Sequence, residues 1–264
     1  MRTLTNFEAS LLTDSGYTPT NCLTCRGKKT FRWWATDTRP SEIVEYECRC
    51  VDQWIMYRYF EHCGIPLGYQ RLGWGDATHM DSAAASIIFD YVGEADARVA
   101  AGWGLFFHGA SGTGKTMATA LLTKYLVSVG FTGYFTTFNG LLSMLDSRDS
   151  ALTKEQRQGV HDKILNAQVL VLDDPGREHR ASIEFAVSAF DQVLRQRVAS
   201  RRPTFVTTNY SMNEFEQRYT TPILRLLTER SDQHPFTGSD FRPSANKRER
   251  EEISLGLSRP VVVG

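Results

Sequence analysis

An excess of charge of either sign is missing from this chain: thirty Lys and Arg face thirty Asp and Glu across 264 residues. That balance excludes a global positive field for nucleic acid, so any DNA contact has to come from local patches. Long apolar runs are missing as well. Stretches such as VLVL at 169–172 fall far short of the roughly 20 residues a membrane helix needs, and no membrane partner is expected. The amino-terminal MRTLTNFEASLLTDSG has no continuous apolar core, which argues against a secretory signal and makes the cytoplasm the expected compartment. Cysteine is lacking from residue 64 onward; all five, Cys22, Cys25, Cys48, Cys50 and Cys63, sit before it. In a cytoplasmic protein such clustering points to a metal before disulfides. What remains is ordinary for a globular chain, 41% hydrophobic and 23% charged, with length for one α/β domain and a small module.

Between the cysteines, TFRWWAT and IVEYE have the aromatic and β-branched content of a hairpin. VDQWIMYRYFEHC then spaces Trp54, Met56, Tyr57 and Phe60 as a helix does, and GIP ends it. GYQRLGWGDATHMDS reads as a connecting loop, and SAAASIIFDYVGEADARVAAG as a helix and turn. From residue 104 strands and helices alternate: GLFFHG, KTMATALLTKYLVSVG, GYFTTFNG, LLSMLDS, QVLVLDD, ASIEFAVSAFDQVLRQRVAS and PTFVTTN. That alternation predicts a parallel sheet flanked by helices. NKREREEISLGLSRPVVVG, charged and then loosely apolar, carries no clear structural signal.

GASGTGKT, residues 109–116, stands between a strand and a helix. The glycines let several N–H groups of Gly109, Ala110, Ser111, Gly112, Thr113 and Gly114 turn toward one anion. Lys115 is expected to reach the β- and γ-phosphates and Thr116 to offer its hydroxyl to Mg²⁺. The helix dipole adds to the attraction. A second buried strand ends in Asp173 and Asp174, placed as a Walker-B pair: Asp173 for Mg²⁺, Asp174 to polarise the attacking water. The second role usually falls to glutamate, and the shorter aspartate predicts slow turnover. TFVTTNY brings Asn209 to the end of a third strand, as a water-orienting amide or a plain turn residue.

Four thiolates, Cys22, Cys25, Cys48 and Cys50, suit one tetrahedral Zn²⁺ in a ribbon-like module. The second knuckle is tighter than the usual two-residue gap, so His62 or Cys63 is a substitute ligand; a buried thiol is the plainer reading of Cys63. Reduced structural cysteines and an iron–sulfur site remain alternatives. Arg195, Arg197, Arg201 and Arg202 form a basic cluster that reads equally as a solvated helix end or as a subunit or DNA contact. Phe138, Asn139 and Arg148 are candidates for single-stranded DNA, with Phe138 more simply core. Arg32, Trp33 and Trp34 offer a protein anchor or a base-stacking platform.

The order of pieces, phosphate loop, LDDPG, RQRVASRRPTFVTTNYS and ILRLLTERSDQHPFTGSDFRPS, resembles the AAA+ ATPases of the DnaC/DnaI helicase-loader and IstB transposition-helper group, over roughly residues 60–245. The resemblance implies an α/β AAA+ (ASCE) fold and an ATPase completed in trans between subunits. On it, Asn209 falls at sensor 1, Arg225 at the arginine finger and Arg242 at a second nucleotide-sensing arginine. It also implies self-association with ATP. The expected division is 1–63, a zinc module contacting a partner; 64–103, a lead-in; 104–245, the ATPase; and 246–264, a tail. Loaders of the DnaI type carry such a zinc module, whereas IstB-type ATPases generally lack one. The expected function is therefore ATP-dependent loading of a replicative DNA helicase onto single-stranded DNA. The alternatives are an IstB-like helper on duplex DNA, and a binding module whose phosphate loop only grips nucleotide.

Overall fold

The computed structural model describes residues 22–35, 42–77, 80–145, 153–176 and 182–262. The chain folds as two compact units, one of residues 1–79 and 241–264, the other of residues 80–240.

The first unit opens on a knuckle in which the Arg26 N–H donates to the Cys22 carbonyl at 2.8 Å and Lys28 N–H to that of Cys25 at 3.0 Å. Strands β1 (Thr30–Trp34) and β2 (Ile43–Glu47) form the predicted hairpin, antiparallel with Arg32 opposite Glu45. Helix α1 (Cys50–His62) follows and buries Trp54, Ile55 and Phe60. The connecting loop contains a short helix α2 (Leu67–Gln70) and a 3₁₀ turn at Trp74–Ala77.

The second unit begins with α3 (Ser82–Gly93), whose first N–H groups are capped by the Asp81 carboxylate, and α4 (Ala95–Ala101). Its sheet and helices then follow in the expected alternation: β3 (Gly104–Gly109), α5 (Lys115–Ser128), β4 (Gly133–Thr137), α6 (Phe138–Leu145), α7 (Lys154–Asn166), β5 (Val169–Asp173), α8 (Ile183–Ala199) and β6 (Thr204–Thr207). Helices α9 (Met212–Tyr219) and α10 (Thr221–Thr228) and strand β7 (Ser231–Phe236) complete it. All strand pairs are parallel, in the order β4-β5-β6-β3-β7. β5 is buried at every position, as a strand covered by helices on both faces must be. Tyr219, Phe138, Phe190 and Phe215 pack as one aromatic group, with centroids 4.8 to 6.0 Å apart.

Two departures from the sequence reading have clear causes. FNG, read as the end of a strand, is the first turn of α6, because Thr137 Oγ1 accepts the Gly140 N–H at 3.0 Å and starts a helix. The tail from residue 246, read as without structure, begins inside helix α11 (Arg242–Ser254), and residues 241–264 belong with the N-terminal unit. Arg248 and Arg259 both pair with Asp76, at 2.9 and 2.8 Å, and Val261 is fully buried. Among the described residues, no helix is long and apolar enough to cross a membrane.

Candidate nucleotide site and metal centre

Because β6 lies between β3 and β5, their carboxyl ends bring three loops to one edge of the sheet, where ligands of open parallel sheets bind. The phosphate loop leaves β3, the Asp-Asp pair leaves β5, and Asn209 leaves β6 between them. Gly114 and Gly112 have φ of +100° and +81°, a region a side chain rarely tolerates. Gly112 also has Asp240 against it: a Cβ built there would lie 2.1 Å from the Asp240 carboxylate. Thr113 steadies the turn by donating to the Ala110 carbonyl at 2.8 Å. The buried Lys115 amine donates to the carbonyls of Gly109 and Ala110, at 2.8 and 2.6 Å. The loop thus holds a cation at its centre, and Ser111 lies on its half-exposed crown.

Thr116 donates its hydroxyl to Asp173 Oδ1 at 2.8 Å, and Thr207 donates to the same oxygen at 2.5 Å. Burial pushes the Asp173 carboxyl above its usual range, while these two hydroxyls and Lys115 hold it down. Thr116 and Asp173 are hard oxygen donors side by side at the start of α5, a set that fits Mg²⁺. Asp174 adopts φ +56°, a left-handed conformation that aspartate reaches more readily than most residues. Its N–H donates to the Thr207 carbonyl at 2.9 Å, and its carboxylate accepts the Asn209 amide at 2.5 Å. The expected carboxylate and the expected sensor are thus in direct contact. Tyr210 braces the loop beyond, donating its hydroxyl to the Gly176 carbonyl at 3.0 Å.

Arg225 lies on the exposed side of α10, and its guanidinium has no hydrogen-bond or ion-pair partner among the described residues. Arg242 is the first residue of α11, in the other unit. Three contributors were missed from sequence: Thr207, Tyr210 and Asp240. Thr207 had a signal, a hydroxyl closing an otherwise apolar buried strand. Asp240 had none, since it meets Gly112 from 128 positions away.

The basic cluster is corrected by the structure. Arg197 is fully buried and donates to the carbonyls of Ile164, Ala167, Gln168 and Pro203, at 2.7 to 3.2 Å, and to the Thr204 hydroxyl at 3.0 Å. Burial, with Arg202 beside it, lowers its pKa to about 9. Arg202 likewise donates to Leu165 and Asn166, and Arg195 pairs with Asp191 at 2.7 Å. Two of these four cations close the carboxyl end of α7, where carbonyls lack helical partners; Arg195 and Arg201 are exposed. Phe138 is fully buried while Asn139 is exposed, which leaves Phe138 as core; Arg148 lies outside the described residues. In the hairpin, Arg32 donates to the Leu255 carbonyl at 3.1 Å, and Arg259 stands 5.1 Å over the Trp33 ring.

Cys22, Cys25, Cys48 and Cys50 converge, with all four sulfurs within 4.8 Å of one another. Cys22 and Cys48 are 3.7 Å apart and Cys25 and Cys50 3.5 Å. A tetrahedral site with Zn–S bonds of about 2.3 Å separates its sulfurs by about 3.8 Å, so the set fits zinc. Burial pushes the Cys48 and Cys50 thiols up, Cys50 to about 11. Burial also acts upward on Cys25, but hydrogen bonds from Cys50 and two backbone N–H groups outweigh it and bring it to about 7. Such a cluster holds several thiolates together only around a cation. Cys63 is buried outside the group.

Comparison with known proteins agrees with this geometry. The family model for IstB-like ATP binding proteins matches residues 99–243. The replicative helicase loader DnaC of Escherichia coli (strain K12) is 29% identical over 126 residues, 47% of this chain and 48% of that protein. The match thus spans about half the length of that relative. The crystal structure of the DnaC helicase loader superposes with a TM-score of 0.56 at 23% identity, covering 65% of this chain and all of that one. The crystal structure of DnaI gives 0.54 at 23% identity, over 65% and 94%. These structures establish the AAA+ fold. With a glycine-rich loop, an acidic strand end and an asparagine at one sheet edge, and more than half of its length matched, the chain belongs to the family of IstB-like ATP binding proteins.

Proposed function

We propose that this protein is an ATP-dependent loader of a replicative DNA helicase onto single-stranded DNA, assembling with ATP and released on hydrolysis. The observation that carries the reading is the four-cysteine cluster standing ahead of a DnaC-like ATPase. An N-terminal metal module is what loaders of the DnaI type have and IstB-type ATPases generally lack. Residues 1–63 would bind the helicase and residues 104–245 the nucleotide.

The nucleotide's phosphates replace the Gly109 and Ala110 carbonyls as partners of Lys115, a stronger charge-assisted pairing. N–H groups of the 109–116 loop hold the β-phosphate. Thr116 and Asp173 would hold Mg²⁺, which when bound would supply positive charge to the nucleotide's phosphates. Asp174, with its carboxylate oriented by Asn209, takes the proton of the water that attacks the γ-phosphorus, and ADP leaves. Arg225 of a neighbouring subunit stabilises the charge developing on the transferred group. Its exposed position on α10, with no ion-pair partner among the described residues, suits a donor that works on another copy.

The direct test is co-elution with the helicase of the source organism or its host, with ATP, with ADP, and with Cys22 and Cys25 both changed to Ser. A complex with the intact protein that is lost on the double change supports loading and places the contact in the knuckle. No complex under any nucleotide, with the protein folded and zinc-loaded, overturns it. The second reading, a transposition helper, has the IstB-like family match in its favour; it predicts duplex DNA bound at least as well as single strands.

A further inference from the structure

Strands β3 and β7 are parallel neighbours with Gly109 opposite Phe236, so the chain leaves both at the same edge of the sheet. The two loops that follow start in contact. Gly109, at φ +114°, has no room for a side chain, because a Cβ there would lie 2.5 Å from the Phe236 carbonyl oxygen. Further along the glycine-rich loop, at Gly112, the neighbour is a carboxylate. The Oδ1, Cγ and Oδ2 atoms of Asp240 lie 2.1, 2.3 and 2.8 Å from a Cβ built on Gly112. Asp240 is four residues beyond the end of β7, a span of at most about 14 Å. The loop and Asp240 both belong to the unit of residues 80–240.

The sign of that neighbour is wrong for an anion seat, which gathers N–H groups, a lysine and a helix N-terminus. The bend of the loop is already held by other groups: Thr113 donates to Ala110, the Lys115 amine to Gly109 and Ala110, and the Gly109 N–H to the Tyr210 carbonyl at 3.2 Å. On whichever side of Gly112 the carboxylate stands, a loop this small keeps it within a Debye length, roughly 8 to 10 Å, of the anion it encloses. We infer that Asp240 restrains the nucleotide site: its fixed negative charge lowers the affinity of the loop for phosphate and hastens the release of ADP. The inference rests on reading residues 109–116 as the phosphate seat. Asp240 is exposed, so water and salt screen it, and its effect is a few-fold change in affinity.

The test is the affinity of the full chain for a fluorescent ADP at low salt. Asp240→Asn keeps the shape of the side chain and removes its charge; it is expected to tighten binding about threefold or more, mostly through slower dissociation. Asp240→Ala is the second variant and should tighten binding as well. Inorganic pyrophosphate, competing with the labelled ADP, should gain by a similar factor, because the effect falls on phosphate and not on the base. Raising the salt should shrink the difference between parent and variant, as screening does for a charge and not for packing. Glu229→Gln, at an exposed acid just before the amino end of β7, changes net charge equally and should bind as the parent does. Unchanged or weaker binding in Asp240→Asn, with the circular dichroism of the parent, overturns the inference and leaves Asp240 a packing residue of the loop. Equal tightening in Glu229→Gln overturns it too, since net charge alone then suffices. Lys115→Ala separates the underlying reading. If it binds ADP as tightly as the parent, the loop is not the phosphate seat and both fall. If it binds weakly while Asp240→Asn does not tighten, only the role of Asp240 falls.

Discussion

Replacing Arg197 by methionine removes a buried cation and strands the groups it serves. Five acceptors lose their donor: the carbonyls of Ile164, Ala167, Gln168 and Pro203 and the Thr204 hydroxyl. Each buried acceptor left unsatisfied costs about 1–3 kcal/mol. Against that, methionine avoids the desolvation that lowers the pKa of Arg197 to about 9, and water can enter at the chain's edge to serve some carbonyls. Removing one side of a buried charged network costs about 3–5 kcal/mol in comparable cases, and that is the expected loss here. In a unit of this size it lowers the melting temperature by on the order of 10 °C. Arg195→Ala, at an exposed pair with Asp191, is the control and should cost under about 0.5 kcal/mol. Urea unfolding and scanning calorimetry of the two variants measure the difference. Equal stability of the two, or a loss of DNA binding in Arg197→Met at unchanged stability, refutes the structural assignment and returns Arg197 to the functional surface.

The remaining predictions concern the two sites. Lys115→Ala should abolish hydrolysis with the melting temperature little changed, because the amine's partners are loop carbonyls that solvent can serve; activity equal to the parent's would leave the enzymatic reading without support. Mixing Lys115→Ala with Arg225→Ala subunits should restore hydrolysis that neither has alone, since each supplies the half the other lacks; no recovery in the mixture argues against completion in trans. Metal analysis should find one zinc per chain, lost in Cys25→Ser, and a zinc-free parent that folds normally would contradict the metal centre. Asn209→Ala removes the amide from the Asp174 carboxylate and should lower kcat by about 10- to 100-fold with little change in nucleotide affinity; a change in affinity alone would point to a binding role.

Asp173 and Asp174 were legible because an apolar strand of VLVL type admits a carboxylate only at its end, and the phosphate loop upstream gives that end a purpose. Lys115 and Thr116 were legible for a similar reason: glycines forced into left-handed conformations leave few uses for a following Lys-Thr. The hairpin could be read from its β-branched and aromatic residues, and the four cysteines from their spacing alone. Arg197 was misread because helical periodicity places it near a charged helix end, while its burial depends on where α7 stops and β5 begins. β7 was not identified as a strand, since SDQHPF shows little alternation and pairs on one side only, at the sheet edge.

Local chemistry could be read from the residues alone: a glycine-rich loop between strand and helix, carboxylates at a strand end, and cysteine pairs at metal-ligand spacing. Those features depend on residues within a few positions of each other, whose conformations follow from local sterics and hydrogen bonding. Only tertiary structure decided which groups from distant segments meet. It set Thr207 on Asp173, Asn209 on Asp174 and Asp240 on Gly112, and it returned residues 242–262 to the unit that carries the cysteine cluster. Strand order and chain return are fixed by burial and by the pairing of polar groups across the whole fold, and neither leaves a periodic mark in the residues that take part.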